Sequence, residues 1–142
     1  EKNLIPMNCG PLCDELATVW QYEDYFEKGV DNDEIAFVSA RSDSKKLIFL
    51  SFRGTNTIYQ LLLEGLQEKN EAYSFHEIEK ACVQSVFFDR YKLVRDAAFT
   101  EVKRLRAAYP DYVVAVTGHS LGATLSTHLA LDLVLSGVVD SD

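Results

Sequence analysis

The chain has 142 residues and a formal net charge of −8 at neutral pH, with 22 acidic against 14 basic side chains. This balance argues against nucleic acid as a partner and against electrostatic docking on anionic membranes. We find no transmembrane run and no signal peptide in the sequence. Because the chain starts at Glu1 with its single methionine at Met7, we expect a processed product or a fragment. We predict a single partial domain over residues 1–142.

The first predicted elements are a helix and a β-hairpin. The spacing of apolar residues predicts a helix over residues 14–26, within an N-terminal helical segment over residues 1–30 that packs on the rest. Two apolar runs at residues 35–40 and 46–52 predict strands joined across a polar turn at 41–44.

The second half of the chain alternates strand and helix. A weak strand is predicted near residues 81–87, followed by a helix whose charged outer face falls within residues 89–106. The predicted inner face of this helix consists of Tyr91, Val94, Ala98, Val102 and Leu105. A β-branched apolar run at residues 112–117 predicts a buried parallel strand.

A last helix is predicted over residues 121–136, with Gly137 as its stop signal. Leu125, Leu129 and residues 132–133 lie at helical spacing, and the apolar face is broadened by Leu121, Leu131 and Leu135. Nothing after this helix can pair with the far side of the preceding strand. The sequence therefore predicts an open sheet edge and an uncovered apolar face.

A serine stands between this strand and this helix, flanked by two glycines. Ser120 follows Gly118 and His119 and precedes Leu121 and Gly122. A nucleophilic serine on a sharp strand-to-helix turn needs small residues two positions away on each side, where strand and helix approach closely. At the helix N-terminus, the Leu121 amide could bind a developing oxyanion. The alternative is a glycine-rich turn with a solvent-facing serine.

An oxyanion hole needs a second amide from the loop after an earlier strand. The run Arg53-Gly54-Thr55 follows the strand at 46–52 directly, and Gly54 would allow a sharp turn. The Thr55 amide is therefore the second predicted donor. An ordinary strand-exit turn is the alternative.

These two motifs resemble the class 3 lipase family, the fungal-lipase type of α/β-hydrolase. The resemblance is carried by Phe52-Arg53-Gly54-Thr55 and, about 60 residues later, by the segment 117–123, and it covers roughly residues 35–136. It implies an α/β fold with flanking helices and hydrolysis of carboxylic esters, typically acylglycerols. A Ser-Asp-His triad would act without a metal or cofactor. The family also places an oxyanion N–H at the Thr55 position. It is often secreted, which favours an extracellular origin, with a cytoplasmic location as the alternative.

In such lipases the short helix after that position is a lid that opens at a lipid–water interface. Residues 57–66 fit this role physically, because they form a short apolar helix pattern that could cover an acyl pocket and turn outward onto lipid. The candidate lid residues are Ile58, Tyr59, Leu61 and Leu62. A core helix is the alternative that periodicity leaves open.

The chain departs from the family in two places. Gln84 and Val86 stand where the family usually has His and Gly, and the bulky Val86 replaces a residue that normally lets backbone elements approach each other. The larger departure concerns the acid and base of the triad. α/β-Hydrolases place both after the serine, in the order acid then histidine.

After Ser120 the only histidine is His128, on the same predicted helix as Asp132. Neither has a credible route to the serine hydroxyl, and His119 should point away from it. We interpret His119 and His128 as structural. We expect the acid and base to lie beyond residue 142.

The cysteines favour neither a metal nor a fixed disulfide pattern. Cys9, Cys13 and Cys82 allow three different single disulfides or none, and two cysteines separated by three residues do not make a zinc site. The cysteines thus give no sign of a metal site, and the resemblance implies that neither a metal nor a cofactor takes part.

Two functional hypotheses remain. The first is a serine esterase or lipase that acts on lipid esters through Ser120. The second is a catalytically silent, lipase-like module that binds lipid or a partner, motivated by the missing acid and base and by Gln84 and Val86.

Overall fold

The computed structural model describes residues 10–29, 35–54, 70–71 and 83–140. The elements in chain order are α1 (Pro11–Ala17), β1 (Gln21–Lys28), β2 (Ile35–Ser42), β3 (Leu47–Phe52), β4 (Asn70–Glu71), β5 (Val83–Gln84), α2 (Ser85–Ala108), β6 (Val113–Gly118) and α3 (Leu121–Leu135). None of the helices within these ranges is long and apolar enough to cross a membrane.

The N-terminal prediction of a helix over residues 14–26 is wrong. Helix α1 ends at Ala17, and β1 occupies much of the segment predicted as helical. The Thr18 hydroxyl donates a hydrogen bond to the Glu15 carbonyl at 2.7 Å, which closes the helix end. Strand β1 is rich in aromatic residues, which favour strands, and pairs with β2 along its length. Tertiary pairing therefore overrides a short helical periodicity, and the N-terminal segment is not helical throughout.

The main sheet has the order β1-β2-β3-β6. The β1–β2 and β2–β3 pairs are antiparallel, so the predicted hairpin is confirmed, and β6 joins β3 in parallel. The register places Phe26 opposite Phe37, Phe37 opposite Phe52, and Phe52 opposite Gly118. The C-terminal ends of β1, β3 and β6 therefore lie at the same end of the sheet. Strands β4 and β5 form a separate two-stranded sheet.

Helices α2 and α3 cover one face of this sheet and enclose the core with it. All five residues of the predicted inner face of α2 are buried, which confirms the helical period. The helix begins at Ser85, so the weak strand predicted near residues 81–87 is confined to β5 in the part of it that the structure describes. Aromatic side chains of the strands, Phe37 and Phe52, complete the core beneath the helices.

Helix α3 agrees closely with its predicted bounds, and Gly137 follows it with a φ of 65°. Its buried apolar face comprises Leu121, Leu125, Leu129 and Leu133. The prediction that Leu131 and Leu135 broaden this face is wrong, because both are exposed, by 43% and 41%. They lie on the side of the helix turned away from the sheet.

Two ionic clusters, each built around a buried carboxylate, connect α2 to its neighbours. In the first, Asp132 of α3 accepts hydrogen bonds from the Tyr91 hydroxyl at 2.7 Å and from Arg95 at 2.5 and 3.1 Å. The carboxylate of Asp132 is fully buried. Burial raises the pKa of the Tyr91 hydroxyl, and its hydrogen bond to Asp132 raises the pKa further. This cluster joins α2 to α3.

The second cluster joins α2 to the sheet. Ser39 of β2 donates to Glu101 at 2.7 Å, and Arg104 donates to both Glu101 oxygens at 2.8 Å. Arg104 also donates to Glu23 of β1 at 3.0 Å. Burial raises the pKa of Glu101, but the hydrogen bonds from Arg104 and Ser39 and the charge of Arg104 outweigh it, so the pKa lies below its usual value.

Within the described ranges, β6 forms an edge of the main sheet, as the sequence predicted. Val113 at its start is 63% exposed, and Val114 and Val116 line a shallow groove with Leu133 and Val139.

Candidate active site

Ser120 occupies a strained turn at the end of β6. Its φ of 56° and ψ of −122° place it outside the regions that a residue with a Cβ normally adopts. The strand ends at Gly118 and α3 begins at Leu121, so the turn comprises only two residues. Such strain persists only where the surroundings fix it, and it is concentrated at functional sites. The strand, turn and helix predicted around this serine are all present.

The two flanking glycines are required by close packing of the backbone. A Cβ on Gly118 would lie 2.3 Å from the carbonyl carbon of Gly122. A Cβ on Gly122 would lie 2.4 Å from the carbonyl oxygen of Phe52, at the end of β3. Both contacts are with backbone atoms, which cannot move aside as a flexible side chain could. The turn is therefore packed against itself and against the neighbouring strand.

The helix N-terminus leaves an amide available beside the serine. The Gly122 amide donates to the His119 carbonyl and the Ala123 amide to the Ser120 carbonyl, both at 2.9 Å. No acceptor within the described part of the chain is bonded to the Leu121 amide. Unsatisfied amides at a helix N-terminus favour negative charge. The geometry is that of an anion-binding position next to the Ser120 hydroxyl.

The residues that directly follow β3, Arg53 and Gly54, form the exit of this strand, and they lie against the turn that carries Ser120. A Cβ on Gly54 would be 2.7 Å from the His119 carbonyl oxygen and 3.8 Å from the Ser120 Cβ. Thr55, the predicted second oxyanion donor, lies outside the described residues, and so do the candidate lid residues Ile58, Tyr59, Leu61 and Leu62. These two roles remain predictions. The structure does bring the residue before Thr55 to the serine.

The side chain of His128 contacts Thr124, Tyr91 and Phe88 and not Ser120. Its Nδ1 lies 2.7 Å from the Thr124 carbonyl oxygen, and its ring stacks on Tyr91 with centroids 5.4 Å apart. A second ring, that of Phe88, lies 5.9 Å away. These contacts favour the structural interpretation of His128.

Asp132 is held by Tyr91 and Arg95, on the same helix as His128 and remote from the serine turn. His119 adjoins Ser120 and is exposed. Across residues 10–29, 35–54 and 83–140, no Asp–His pair faces the serine. Gln84 and Val86, the two departures from the family pattern, lie at the start of α2, where Gln84 is exposed and Val86 is partly buried.

The sequence did not predict the ion pair between Arg53 and Glu27, which lies at the same end of the sheet as Ser120. The Arg53 guanidinium lies 3.3 Å from the Glu27 carboxylate, and the Arg53 amide donates to the Ala36 carbonyl at 2.9 Å. Glu27 follows the segment predicted as a helix, so no sequence signal placed it near Arg53. Only the pairing of β1 with β2 does so.

Comparison with known proteins agrees with this geometry. The family described as lipase (class 3) matches residues 49–142. The chain is 47% identical over 123 residues to the secreted mono- and diacylglycerol lipase A of Penicillium camembertii, covering 85% of this chain and 39% of that protein. It is 33% identical over 93 residues to a lipase of Rhizopus oryzae, covering 66% of this chain and 23% of that protein. The chain belongs to the class 3 lipase family.

Solved lipase structures share the fold. The triacylglyceride lipase of Rhizomucor miehei superposes with a TM-score of 0.77 at 27% identity, over 96% of this chain and 50% of that one. A triacylglycerol lipase whose catalytic centre is described as a serine protease triad superposes with a TM-score of 0.73 at 28% identity, over 88% of this chain and 45% of that one. The α/β-hydrolase fold implied by the resemblance is confirmed. This class 3 lipase chain spans less than half the length of these curated relatives.

Proposed function

We propose that the protein is a serine hydrolase that cleaves carboxylic esters of lipids, of the acylglycerol type, through an acyl-enzyme on Ser120. The observation that carries the proposal is the strained turn at Ser120, packed against Gly54 at the exit of β3 and followed by the Leu121 amide. A turn that merely exposes a serine needs neither the positive φ nor the close backbone contacts.

In the proposed reaction, the Ser120 hydroxyl oxygen attacks the ester carbonyl carbon while a general base takes its proton. The carbonyl oxygen becomes an oxyanion, which accepts hydrogen bonds from the Leu121 and Thr55 amides. Collapse breaks the bond to the alcohol, which leaves with the proton and gives the acyl-enzyme. A water molecule then adds by the same route and releases the fatty acid, which restores the serine.

The acid and base of the triad are proposed to come from parts of the protein outside residues 1–142. The contacts of His128 and Asp132 support this assignment, because both side chains are engaged between α2 and α3. Triad order in α/β-hydrolases supports it as well, since acid and base follow the serine along the chain. We expect residues 1–142 alone to show little turnover, because such enzymes keep only a small part of their rate without the histidine.

The substrate is proposed to be presented at a lipid–water interface, with residues 57–66 as a lid over the acyl pocket. Support comes from the lipase relatives and from the apolar pattern of that segment. We also propose secretion. Cys13 is disulfide-bonded, which fits an oxidising compartment, and one relative is named a secreted lipase.

A fluorophosphonate probe tests the proposal, because it reacts covalently with an activated serine. In the complete gene product, we expect labelling of Ser120 and hydrolysis of a short-chain p-nitrophenyl ester, both abolished in Ser120→Ala. Ser44→Ala, in the exposed turn between β2 and β3, is the matched control and should keep full activity. Absence of labelling in the folded, unmutated protein would favour the catalytically silent module instead.

A further inference from the structure

We propose that Glu27 and Arg53 form a positioning pair, which holds the exit of β3 against the Ser120 turn and thereby sets the position of the Ser120 hydroxyl and the Leu121 amide. The inference rests on the proposed hydrolase function and deepens it. It assigns a role in that function to β1, a strand that contributes no residue to the proposed chemistry.

The β3 exit packs directly against the serine turn. Where a Cβ would stand on Gly122, the Phe52 and Arg53 carbonyl oxygens lie 2.4 and 3.1 Å away. Gly54 in turn lies against the His119 carbonyl. The backbone from Phe52 to Gly54 is therefore fitted into the turn on both sides of Ser120. A small displacement of this segment therefore shifts the turn that carries the Ser120 hydroxyl and the Leu121 amide.

On its other side, this segment is held by β2 and β1. The Arg53 amide donates to the Ala36 carbonyl, which extends the β2–β3 pairing one residue beyond the end of β3. The Arg53 side chain is only 15% exposed and reaches across β2 to the Glu27 carboxylate on β1. Backbone and side chain of the same residue are thus held by two different strands. The hydrogen bond to Ala36 and the ion pair with Glu27 together fix the orientation of the peptide between Arg53 and Gly54.

The ion pair between Glu27 and Arg53 is weak and partly exposed to solvent. The Glu27 side chain is 38% exposed and its oxygen lies 3.3 Å from the Arg53 nitrogen. Ion pairs of this kind add little to folding stability, because water screens the charges and both side chains lose freedom. The pair can bias the position of the neighbouring backbone by no more than that same free energy, which limits its effect on turnover to about fivefold. Because the segment that it holds packs on the serine turn, we expect this small effect to appear in turnover.

The chain offers a matched control on the same strand. Glu23 lies four residues before Glu27, about 13 Å away along β1, and pairs with Arg41 and Arg104. These partners stand near the other end of the sheet, away from Ser120. Replacing either glutamate by glutamine removes one carboxylate charge from β1 and nearly preserves its shape. Only Glu27→Gln removes a contact of the segment that packs on the serine turn.

The test compares Glu27→Gln and Glu23→Gln in the complete gene product. For Glu27→Gln we expect kcat on a soluble short-chain ester to fall about fivefold with KM unchanged, since the loss falls on the transition state. The rate of Ser120 labelling by the fluorophosphonate should fall by a similar factor, and Tm should stay unchanged. Glu23→Gln should keep kcat and the labelling rate.

A kcat for Glu27→Gln within about twofold of the unmutated protein would overturn the positioning role, and so would an equal loss in Glu23→Gln. A loss confined to KM would also overturn it, because that result indicates ground-state binding. These outcomes differ from failure of the proposed function. In that case the unmutated protein itself shows no labelling and no turnover that depends on Ser120, and the positioning role fails with it.

Discussion

Replacing Gly122 by alanine sets two physical effects against each other. Gly122 is buried in the first turn of α3. In an isolated helix, alanine is more favourable than glycine by about 0.5–1 kcal/mol, because glycine loses more conformational freedom on folding. Local propensity alone thus predicts a more stable protein. The tertiary contact predicts the opposite.

The new Cβ would stand 2.4 Å from the Phe52 carbonyl oxygen, and ordinary contact begins near 3.4 Å. Helix α3 and the end of β3 must therefore separate by about 1 Å, since the opposing atom belongs to the backbone. Forcing extra volume into a packed core costs about 1–3 kcal/mol, which exceeds the helical gain. A displacement of about 1 Å near reacting groups can lower a rate by about 10²-fold.

We therefore expect Gly122→Ala to lower the free energy of unfolding by about 1–2 kcal/mol and kcat by about 10²-fold. Urea unfolding measures the first, and hydrolysis of a soluble p-nitrophenyl ester with fluorophosphonate labelling measures the second, both in the complete gene product. Gly137→Ala is the control, because it has a φ of 65° with open space around it. It should cost about 1 kcal/mol through backbone strain and leave kcat unchanged. If Gly122→Ala kept kcat within about twofold, the packing argument for the serine turn would be refuted.

Two further predictions concern the buried carboxylates of Asp132 and Glu101. Tyr91→Phe removes the hydroxyl that donates to the buried Asp132 carboxylate, and it should lower the free energy of unfolding by about 2 kcal/mol. In the control Tyr112→Phe, the lost hydroxyl bonds an exposed carboxylate, so the free energy of unfolding should change by less than about 0.5 kcal/mol. Equal effects of the two variants would contradict the stabilising role of the Tyr91–Asp132 hydrogen bond. Because the pKa of Glu101 is lowered in the folded state, its stabilising contribution is present above the usual value of 4.5 and is lost as the pH falls through the lowered value. Glu101→Gln should therefore destabilise the protein most near neutral pH and progressively less below about pH 4, as followed by urea unfolding across that range; a difference independent of pH would exclude the ionised contact with Arg104.

The serine turn could be read from the sequence because its requirements are local. Gly118, Ser120 and Gly122 stand at fixed spacing between a β-branched run and a helical pattern, and the chain can satisfy that pattern within a few residues. The inner face of α2 was predictable for the same reason. Its period of 3.6 residues is a property of the helix itself, and every residue assigned to that face is buried.

Other features depend on partners far along the chain. The segment from Gln21 to Lys28 carries apolar residues that fit a helix as well as a strand, and its pairing with β2 decides between them. In the sequence, Asp132 is a polar residue on an otherwise apolar helix. Its buried carboxylate is stabilised by hydrogen bonds from Tyr91 and Arg95 of α2. Neither outcome is encoded within a window of a few residues.

The sequence by itself determined the nucleophile candidate, the helical faces and the family, since each rests on residue types at short and regular spacing. Tertiary structure alone decided that β1 is a strand, that His128 and Asp132 are engaged between the helices, and that Glu27 reaches Arg53 beside the serine turn. The physical reason is that strand pairing and the burial of charge bring together residues that are distant in sequence. No local pattern specifies such contacts before the chain has folded.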